Sequence, residues 1–350
     1  MQRIKIGIIG LGEAWERLHA PAYSRLRDKF EITAVCDRDI GRAESAAAEL
    51  GFTGGVYSDC NKMLKDADIE AAGVMVPIPE NFECGRAAIN AGKHLIAEKP
   101  FASSPKTAKE LIRLKNQSGV KVLVAENYRY DEENALMKKL IGEHRIGNPV
   151  YFIDNHVTEI QKDMLTDPFA SAEWRKKPDF KGGAFLDSGV HHIARHRFLF
   201  GNIERVFACG RPSDVGFIPY SCINALLSFE GNVAGHYSFY AVGKETQMPA
   251  VGLRIYGTGG EIYLEDRDCG FVNVSYKDGG HEAIPYKNGE GYHNELCNFY
   301  EALVNDADIV SSPEKELGDI EAVYAILESI GRERAVRLNS GFNSEEGHEK

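Results

Sequence analysis

The stretch Ile4-Lys5-Ile6-Gly7-Ile8-Ile9-Gly10-Leu11-Gly12 decides the fold of this 350-residue chain. Its first six residues form a β-branched run typical of a buried parallel strand. The two glycines, Gly10 and Gly12, then lead into a predicted helix from about residue 14 to residue 26. Gly10 permits a tight turn, and Gly12 lets the backbone approach a pyrophosphate at the helix start. Strand, glycine turn and helix together predict the first unit of a dinucleotide-binding domain.

The second predicted strand, residues 31–36, ends at Asp37, which lies 25 residues beyond Gly12. An acidic residue at this place accepts hydrogen bonds from the adenosine ribose and repels a 2′-phosphate, so Asp37 favours NAD over NADP. Arg38 can stack on adenine or pair with a 2′-phosphate, which leaves NADP open. The fingerprint is incomplete, because Trp15 stands where its third glycine is expected.

Strands and helices alternate as far as residue 125, and this rhythm predicts a doubly wound parallel sheet. The other strands are predicted at 72–76, 93–96 and 121–125, with helices at 41–50, 58–65, 80–91 and 106–118. The Pro77-Ile78-Pro79 segment either lines the nicotinamide side of the ligand crevice or forms a plain strand-to-helix turn.

A lysine follows the strand at 93–96, within Ala97-Glu98-Lys99-Pro100-Phe101. A lysine at the carboxyl end of a strand in such a sheet points into the crevice where these folds bind ligands. The adjacent proline stiffens the backbone and can fix a cis bond or a tight turn. The alternative is a surface lysine paired with Glu98.

The amino-acid composition indicates which ligands the protein binds and in which cellular compartment it works. The net charge of −11 argues against nucleic acid and anionic membranes as partners, so small molecules are the expected ligands. Seven scattered cysteines without a CxxC pair predict reduced thiols in the cytoplasm rather than a disulfide framework or a zinc site. Neither a signal peptide nor a membrane span is predicted, and the length predicts two domains.

Several motifs follow one another in a recognisable order: Gly10-Leu11-Gly12, His19-Ala20-Pro21, Glu98-Lys99-Pro100, Asn127-Tyr128-Arg129-Tyr130 and Gly182-Gly183-Ala184-Phe185-Leu186-Asp187-Ser188-Gly189-Val190-His191. From residue 4 to residue 338 the chain resembles the Gfo/Idh/MocA family of nicotinamide-dependent oxidoreductases. The resemblance implies a Rossmann domain at 1–126. At 127–350 it implies an α/β domain with a large open, mostly antiparallel sheet that binds substrate and joins homodimers or homotetramers. Strands in this second domain are predicted at 150–158, 205–209, 221–229, 233–239, 252–256 and 261–264.

The resemblance assigns catalytic roles to Lys99, Asp187 and His191. The four-residue spacing of Asp187 and His191 predicts the start of a helix with both side chains on one face. Oxidation of an alcohol needs a base, a cation that favours loss of the hydroxyl proton, and an acceptor that orients the substrate or relays the proton. His191, Lys99 and Asp187 suit these roles in that order. The alternative is that Asp187 caps the helix and His191 packs within it.

Further binding residues are implied mostly by the resemblance. The predicted coenzyme contacts are Gly10, Gly12, Glu13, Ala14, Trp15, Asp37, Arg38, Ile78, Pro79, Glu98, Lys99 and Asn127. The predicted substrate contacts are Lys99, Arg129, His156, Trp174, Arg175, Lys176, Asp187, His191 and Tyr292.

The Trp174-Arg175-Lys176-Lys177 segment, here called the basic cluster, offers a ring for a sugar face and cations for a phosphate. Its alternative is a solvated loop. His192 and His196 form a second pair at helical spacing, but no third ligand lies nearby in sequence, so no metal site is predicted.

The sequence therefore predicts an NAD-dependent dehydrogenase that oxidises a secondary hydroxyl of a sugar, cyclitol or sugar phosphate to a ketone. The basic cluster favours a phosphate, and the resemblance then favours oxidation of the 3-hydroxyl of glucose 6-phosphate. Two alternatives stay open. One is an NADP-dependent keto-sugar reductase, and the other is a non-catalytic dinucleotide-binding sensor, because the family also resembles a yeast galactose-pathway corepressor.

Overall fold

The computed structural model describes residues 2–52, 54–241 and 251–338, so the end of the predicted second domain, 339–350, lies outside the described residues. The chain divides into two compact units. Unit 1 comprises the chain up to Glu132 with Met164–Lys181 and Gly289–Glu316, and unit 2 comprises Glu133–Asp163, Gly182–Asn288 and the chain from Leu317. Two segments that the sequence-based division assigns to the second domain, 164–181 and 289–316, thus cluster with the first.

Unit 1 contains the strands β1 Ile4–Ile9, β2 Phe30–Cys36, β3 Gly55–Tyr57, β4 Ala71–Val74, β5 His94–Glu98 and β6 Val122–Ala125. They form one parallel sheet in the order β3-β2-β1-β4-β5-β6. This order is that of a doubly wound Rossmann sheet, with the reversal beside β1, and it confirms the predicted fold class. Strands buried on both faces explain why their sequences are apolar throughout.

The α-helices are α1 Ala20–Arg25, α2 Ile40–Leu50, α3 Cys60–Asp66, α4 Ile78–Asn90, α5 Pro105–Ser118, α6 Glu132–Gly142, α7 Ile160–Thr166, α8 Glu173–Lys176, α9 Ala184–Phe200, α10 Gly291–Asn305 and α11 Pro313–Arg332. A π-helical turn, Trp15–His19, lies within the unbroken helical stretch 13–25 that ends with α1, so the helix predicted from about 14 to 26 is present with one wider turn. Among these described helices, none has the length and apolar composition needed to cross a bilayer.

Unit 2 contains the strands β7 Pro149–Val157, β8 Ile203–Pro212, β9 Tyr220–Phe229, β10 Ala234–Tyr240, β11 Gly252–Gly257, β12 Gly260–Leu264, β13 Phe271–Tyr276, β14 His281–Pro285 and β15 Val336–Arg337. They form one sheet in the order β14-β13-β12-β11-β7-β10-β9-β8-β15. Only the β7–β10 pair is parallel among these described strands. The large, mostly antiparallel sheet is as predicted.

One face of this sheet packs against α9 through aromatic side chains. Phe152 stacks on Phe200 with ring centroids 4.9 Å apart, and Phe185 meets Phe239 at 5.3 Å. Because side chains alternate along a strand, the other face carries the remaining positions. There the described residues include Phe207 and Leu226, which lie directly opposite each other and are 46% and 56% exposed.

Candidate active site

The turn Gly10-Leu11-Gly12 after β1, here called the glycine turn, has a backbone that requires glycine at its first position. Gly10 has a φ of +88°, and a Cβ there would lie 2.4 Å from the carbonyl oxygen of Met75. At Gly12 the nearest atom to a Cβ would be an Arg42 guanidinium nitrogen at 3.9 Å. Only glycine fits the first position, and the second leaves the backbone open to a ligand.

The residues after the glycine turn pack and form ion pairs among themselves. Trp15, in the place of the third glycine, is buried and packs against Tyr23 with ring centroids 5.7 Å apart. Glu13 forms an ion pair with Arg17 at 2.5 Å, and Arg17 also pairs with Asp167 at 3.0 Å. The Glu13 carboxylate is therefore neutralised locally, next to the half-buried Ala14.

Asp37 follows β2 and supports the glycine turn. Its buried carboxylate accepts the backbone N–H of Leu11 at 2.9 Å and that of Asp39 at 3.0 Å. The Arg42 guanidinium lies 3.5 Å away. Each carboxylate oxygen has two lone pairs, so these bonds leave acceptor capacity for ribose hydroxyls.

The segment after β4 leads directly into α4. Ile78 is buried at the first position of this helix, and Pro79, exposed in its first turn, needs no N–H donor there. Glu80 in the same turn forms an ion pair with Arg38, the residue after Asp37. This ion pair therefore joins the segments that follow β2 and β4, the two neighbours of β1 in the sheet.

Lys99 comes directly after β5, and its peptide bond to Pro100 is cis. The Glu98 carboxylate accepts the Lys99 N–H at 2.9 Å and lies 2.6 Å from Nε2 of His19. The Asn81 amide donates to the carbonyl oxygens of Glu98 and Pro100, both at 3.0 Å. Buried polar side chains therefore hold the backbone on both sides of Lys99. Sequence reasoning missed Asn81, whose available signal was its place in the first turn of the helix after Pro77.

A group of buried acids lies beside this turn. Glu295 on α10 is fully buried, and its Oε1 lies 3.8 Å from Nδ1 of His19. Burial, and then the charges of Glu98, Glu126 and Asp131, raise the pKa of Glu295 well above its ordinary value. The fold therefore favours the protonated form of the Glu295 carboxyl. No local sequence pattern indicates that Glu295 belongs to this group.

Three more predicted site residues belong to unit 1. Asn127 and Arg129 form a short 3₁₀ turn after β6, and both are buried. Arg129 forms a buried ion pair with Glu316 at 2.5 Å. Tyr292 on α10 packs edge-on against His19 with ring centroids 5.1 Å apart, and His19 is also the residue that contacts the Glu98 carboxylate.

The basic cluster forms α8 and its end, within unit 1. The Arg175 guanidinium lies 4.3 Å from the ring centroids of both Phe169 and Trp174, and it donates to the Phe169 carbonyl oxygen at 2.5 Å. Lys176 lies 3.5 Å from the Glu173 carboxylate. Two of its cations are thus engaged within their own segment.

Asp187 and His191 lie in unit 2, on α9. Asp187 is in the first turn of the helix, and His191 lies one turn further. The two side chains share a face, as their spacing predicts, and both are half-buried.

A buried imidazole lies next to His191. His192 meets His156 on β7 with ring centroids 4.0 Å apart, and its Nδ1 lies 2.8 Å from the Tyr237 hydroxyl. Burial, and then the charges of His156 and Arg195, lower the pKa of His192 well below its ordinary value. His192 is therefore neutral at pH 7, and the predicted substrate residue His156 contacts it.

The same helix is tied to β7 by a buried carboxylate. Asp154 lies 2.6 Å from both the Arg195 guanidinium and Nε2 of His196. Burial favours a raised pKa for Asp154, but Arg195 and His196 outweigh it and hold that pKa below its ordinary range. The histidine pair His192 and His196 is thus engaged with Tyr237 and Asp154, partners that no local sequence pattern indicates.

Two family models match the chain. Residues 4–126 match the NAD-binding Rossmann fold of an oxidoreductase family, and residues 138–338 match the carboxyl-terminal alpha/beta domain of that family.

Relatives agree with these matches. An uncharacterized protein of Saccharomyces cerevisiae is 28% identical over 87% of this chain and 88% of its own length. A levoglucosan dehydrogenase of Pseudarthrobacter phenanthrenivorans is 30% identical, but over 59% of this chain and only 54% of its own. The crystal structure of an oxidoreductase of Thermotoga maritima has a TM-score of 0.83 and 27% identity, covering 96% of this chain and 98% of that one.

Proposed function

Because the chain belongs to the Gfo/Idh/MocA family of NAD-binding oxidoreductases, we propose that it oxidises a secondary hydroxyl of a sugar, cyclitol or sugar phosphate to a ketone with NAD. The observation that carries this proposal is the position of Lys99 at the carboxyl end of β5, in the sheet whose β1 ends in the glycine turn. Ligands of doubly wound sheets bind at that edge.

The residues of unit 1 fit a dinucleotide. The glycine turn offers backbone N–H groups to the phosphates, and Asp37 keeps acceptor capacity for the ribose. Bound NAD supplies a hydride acceptor. Further contacts are proposed for Glu13, Ala14, Trp15, Arg38, Ile78, Pro79, Glu98 and Asn127.

The catalytic roles are assigned to Lys99, Asp187 and His191. The Lys99 ammonium stabilises the charge that develops on the substrate oxygen, because a fixed cation acts where negative charge appears. The His191 imidazole accepts the hydroxyl proton, and Asp187 orients the hydroxyl or relays that proton. The shared face of Asp187 and His191 on α9 supports this assignment. Arg129, His156, Trp174, Arg175, Lys176 and Tyr292 are proposed to contact the substrate.

Two observations bear on the substrate. A relative named levoglucosan dehydrogenase supports a sugar, and the basic cluster favours a phosphorylated one such as glucose 6-phosphate, oxidised at its 3-hydroxyl. The stacking of Arg175 and the pairing of Lys176 with Glu173 reduce the charge that this cluster offers to a phosphate. Glucose and glucose 6-phosphate therefore form the informative pair in a substrate screen, with inositols and levoglucosan beside them.

The test follows reduced-coenzyme absorbance with this panel and NAD, in the parent and in Lys99→Ala. The variant should lose about a hundredfold or more in kcat/KM, because a stabilising cation is removed. Its affinity for NADH, measured by fluorescence titration, should stay close to that of the parent. Lys106→Ala, an exposed lysine on α5, is the matched control and should turn over normally. Turnover by Lys99→Ala at the parent rate would end the catalytic assignment.

The same assays separate the alternatives. The presence of Arg38 and Arg42 close to Asp37 favours a second candidate, an NADP-dependent keto-sugar reductase, because either guanidinium binds a 2′-phosphate if its carboxylate partner releases it. Comparison of turnover with the two coenzymes distinguishes it. Coenzyme binding without turnover across the panel would instead favour a sensor.

The proposed function also includes an oligomeric state and a cellular compartment. We infer homodimers or homotetramers through the open sheet face of unit 2, where Phe207 and Leu226 lie exposed. A cytoplasmic location is supported by the seven cysteines, all of which are free thiols.

A further inference from the structure

The ion pair between Arg38 and Glu80 spans the carboxyl end of β1. Arg38 is the second residue after β2, and Glu80 lies in the first turn of α4, the helix that follows β4. In the sheet, β2 and β4 are the two neighbours of β1. A bond between the segments that follow them therefore crosses the strand end that leads into the glycine turn, where the adenosine half of a dinucleotide binds in this fold.

Charged groups are crowded at this corner: Asp37, Arg38, Asp39, Arg42 and Glu80. Arg42 lies 3.5 Å from Asp37, and Arg38 pairs with Glu80, so each arginine already has a carboxylate partner. The three carboxylates also outnumber the two arginines. A 2′-phosphate dianion arriving here must take a guanidinium from a carboxylate, and it meets excess negative charge while doing so.

We propose that Glu80 is a coenzyme-specificity residue, which favours NAD over NADP by holding Arg38 away from the 2′-phosphate. Glu80 acts through Arg38 and is therefore a positioning residue, whereas Asp37 meets the ribose directly. The inference rests on the proposed function, because it concerns the same dinucleotide site.

The exposure of the pair makes it suitable for such a role. The side chains of Arg38 and Glu80 are 71% and 37% exposed. Exposed ion pairs contribute little to stability, so loss of this pair should leave the fold intact. The direction of an arginine, in contrast, decides whether a phosphate receives charge-assisted hydrogen bonds from it.

The test is a fluorescence titration of NADH and NADPH against the full chain. Glu80→Gln keeps the side-chain size, removes its charge and releases Arg38. We expect the ratio of the NADPH to the NADH dissociation constant to fall about fivefold or more, as gained charge-assisted bonds require. Addition of Arg38→Ala should abolish this gain, because the 2′-phosphate then loses its cation.

Glu83→Gln is the matched control, because Glu83 and Arg86 form a second exposed ion pair on the same helix. It should leave the ratio unchanged. A ratio in Glu80→Gln equal to that in Glu83→Gln would overturn the inference. A gain that persists in the double variant would also overturn it, by revealing a general charge effect.

The titration needs no substrate, so this inference can fail while the proposed dehydrogenase activity stands. A parent protein that binds NADH and NADPH with the expected ratio but turns over no substrate of the panel would count against the proposed dehydrogenase activity alone. A parent protein that binds neither coenzyme would overturn both proposals together.

Discussion

At the residue scale, Glu295 illustrates how burial sets the charge of a side chain. Burial and the neighbouring acids raise its pKa well above the ordinary value of about 4.3. The folded protein therefore binds the Glu295 proton more tightly than the unfolded chain does. The stability linked to this proton is fully present below about pH 4.3 and is lost as the pH rises through the folded pKa.

Glu295→Gln imitates the protonated carboxyl and removes this pH dependence. We expect its free energy of unfolding at pH 8 to exceed that of the parent by about 1 kcal/mol or more, with the gain shrinking towards pH 5. Urea unfolding at the two pH values measures it. Glu301→Gln, at a partly exposed position on the same helix, is the control and should change little. A Glu295→Gln protein that is less stable than the parent at pH 8 would contradict the neutral carboxyl.

At the scale of elements, the turn after β1 forms because Gly10 has no Cβ. Gly10 and Gly119 both have positive φ, at +88° and +73°. A Cβ at Gly10 meets the Met75 carbonyl oxygen at 2.4 Å, whereas a Cβ at Gly119 meets nothing within 4 Å. Gly119→Ala should therefore cost about 1 kcal/mol of stability from backbone strain.

Gly10→Ala should cost about 3 kcal/mol or more, because strain and a backbone clash add. NADH affinity should also fall, since the turn must shift away from β4. Thermal unfolding and NADH titration of the two variants measure these effects. Equal losses in both variants would show that the close approach to Met75 does not matter.

The same scale shows which elements the sequence predicts and which it does not. β1 has the predicted bounds, because its apolar run ends at a glycine. The predicted helix at 14–26 forms over residues 13–25, but the pattern does not predict that Trp15–His19 within it adopt a π-helical turn that buries both of its end residues. β14 was not predicted, because it is polar and mostly exposed and its strand conformation comes from pairing with β13.

At the scale of the whole molecule, the open sheet face of unit 2 is the proposed interface between copies of the chain. Leu226 lies opposite Phe207 on that face, so Leu226→Glu places a charge within an apolar contact. We expect the variant to lower the molecular mass measured by light scattering to that of the monomer. Leu165→Glu, at a position that is 85% exposed on α7, should leave the parent mass unchanged. An assembly that keeps its mass in Leu226→Glu would exclude this face.

The sequence by itself determined the Rossmann sheet, the glycine turn with Asp37, the lysine at the end of β5 and the shared helix face of Asp187 and His191. These features depend on neighbours within a few residues or on the periodicity of one element, so a local pattern records them.

Only the tertiary structure decided the partners of the charged side chains. Arg38 pairs with Glu80, Arg195 with Asp154, and Arg17 with Asp167. The last of these contacts joins the segment 164–181 to the amino-terminal part of unit 1. Such partners are far apart in sequence and meet because strands and helices pack, and packing depends on the whole chain rather than on any local pattern.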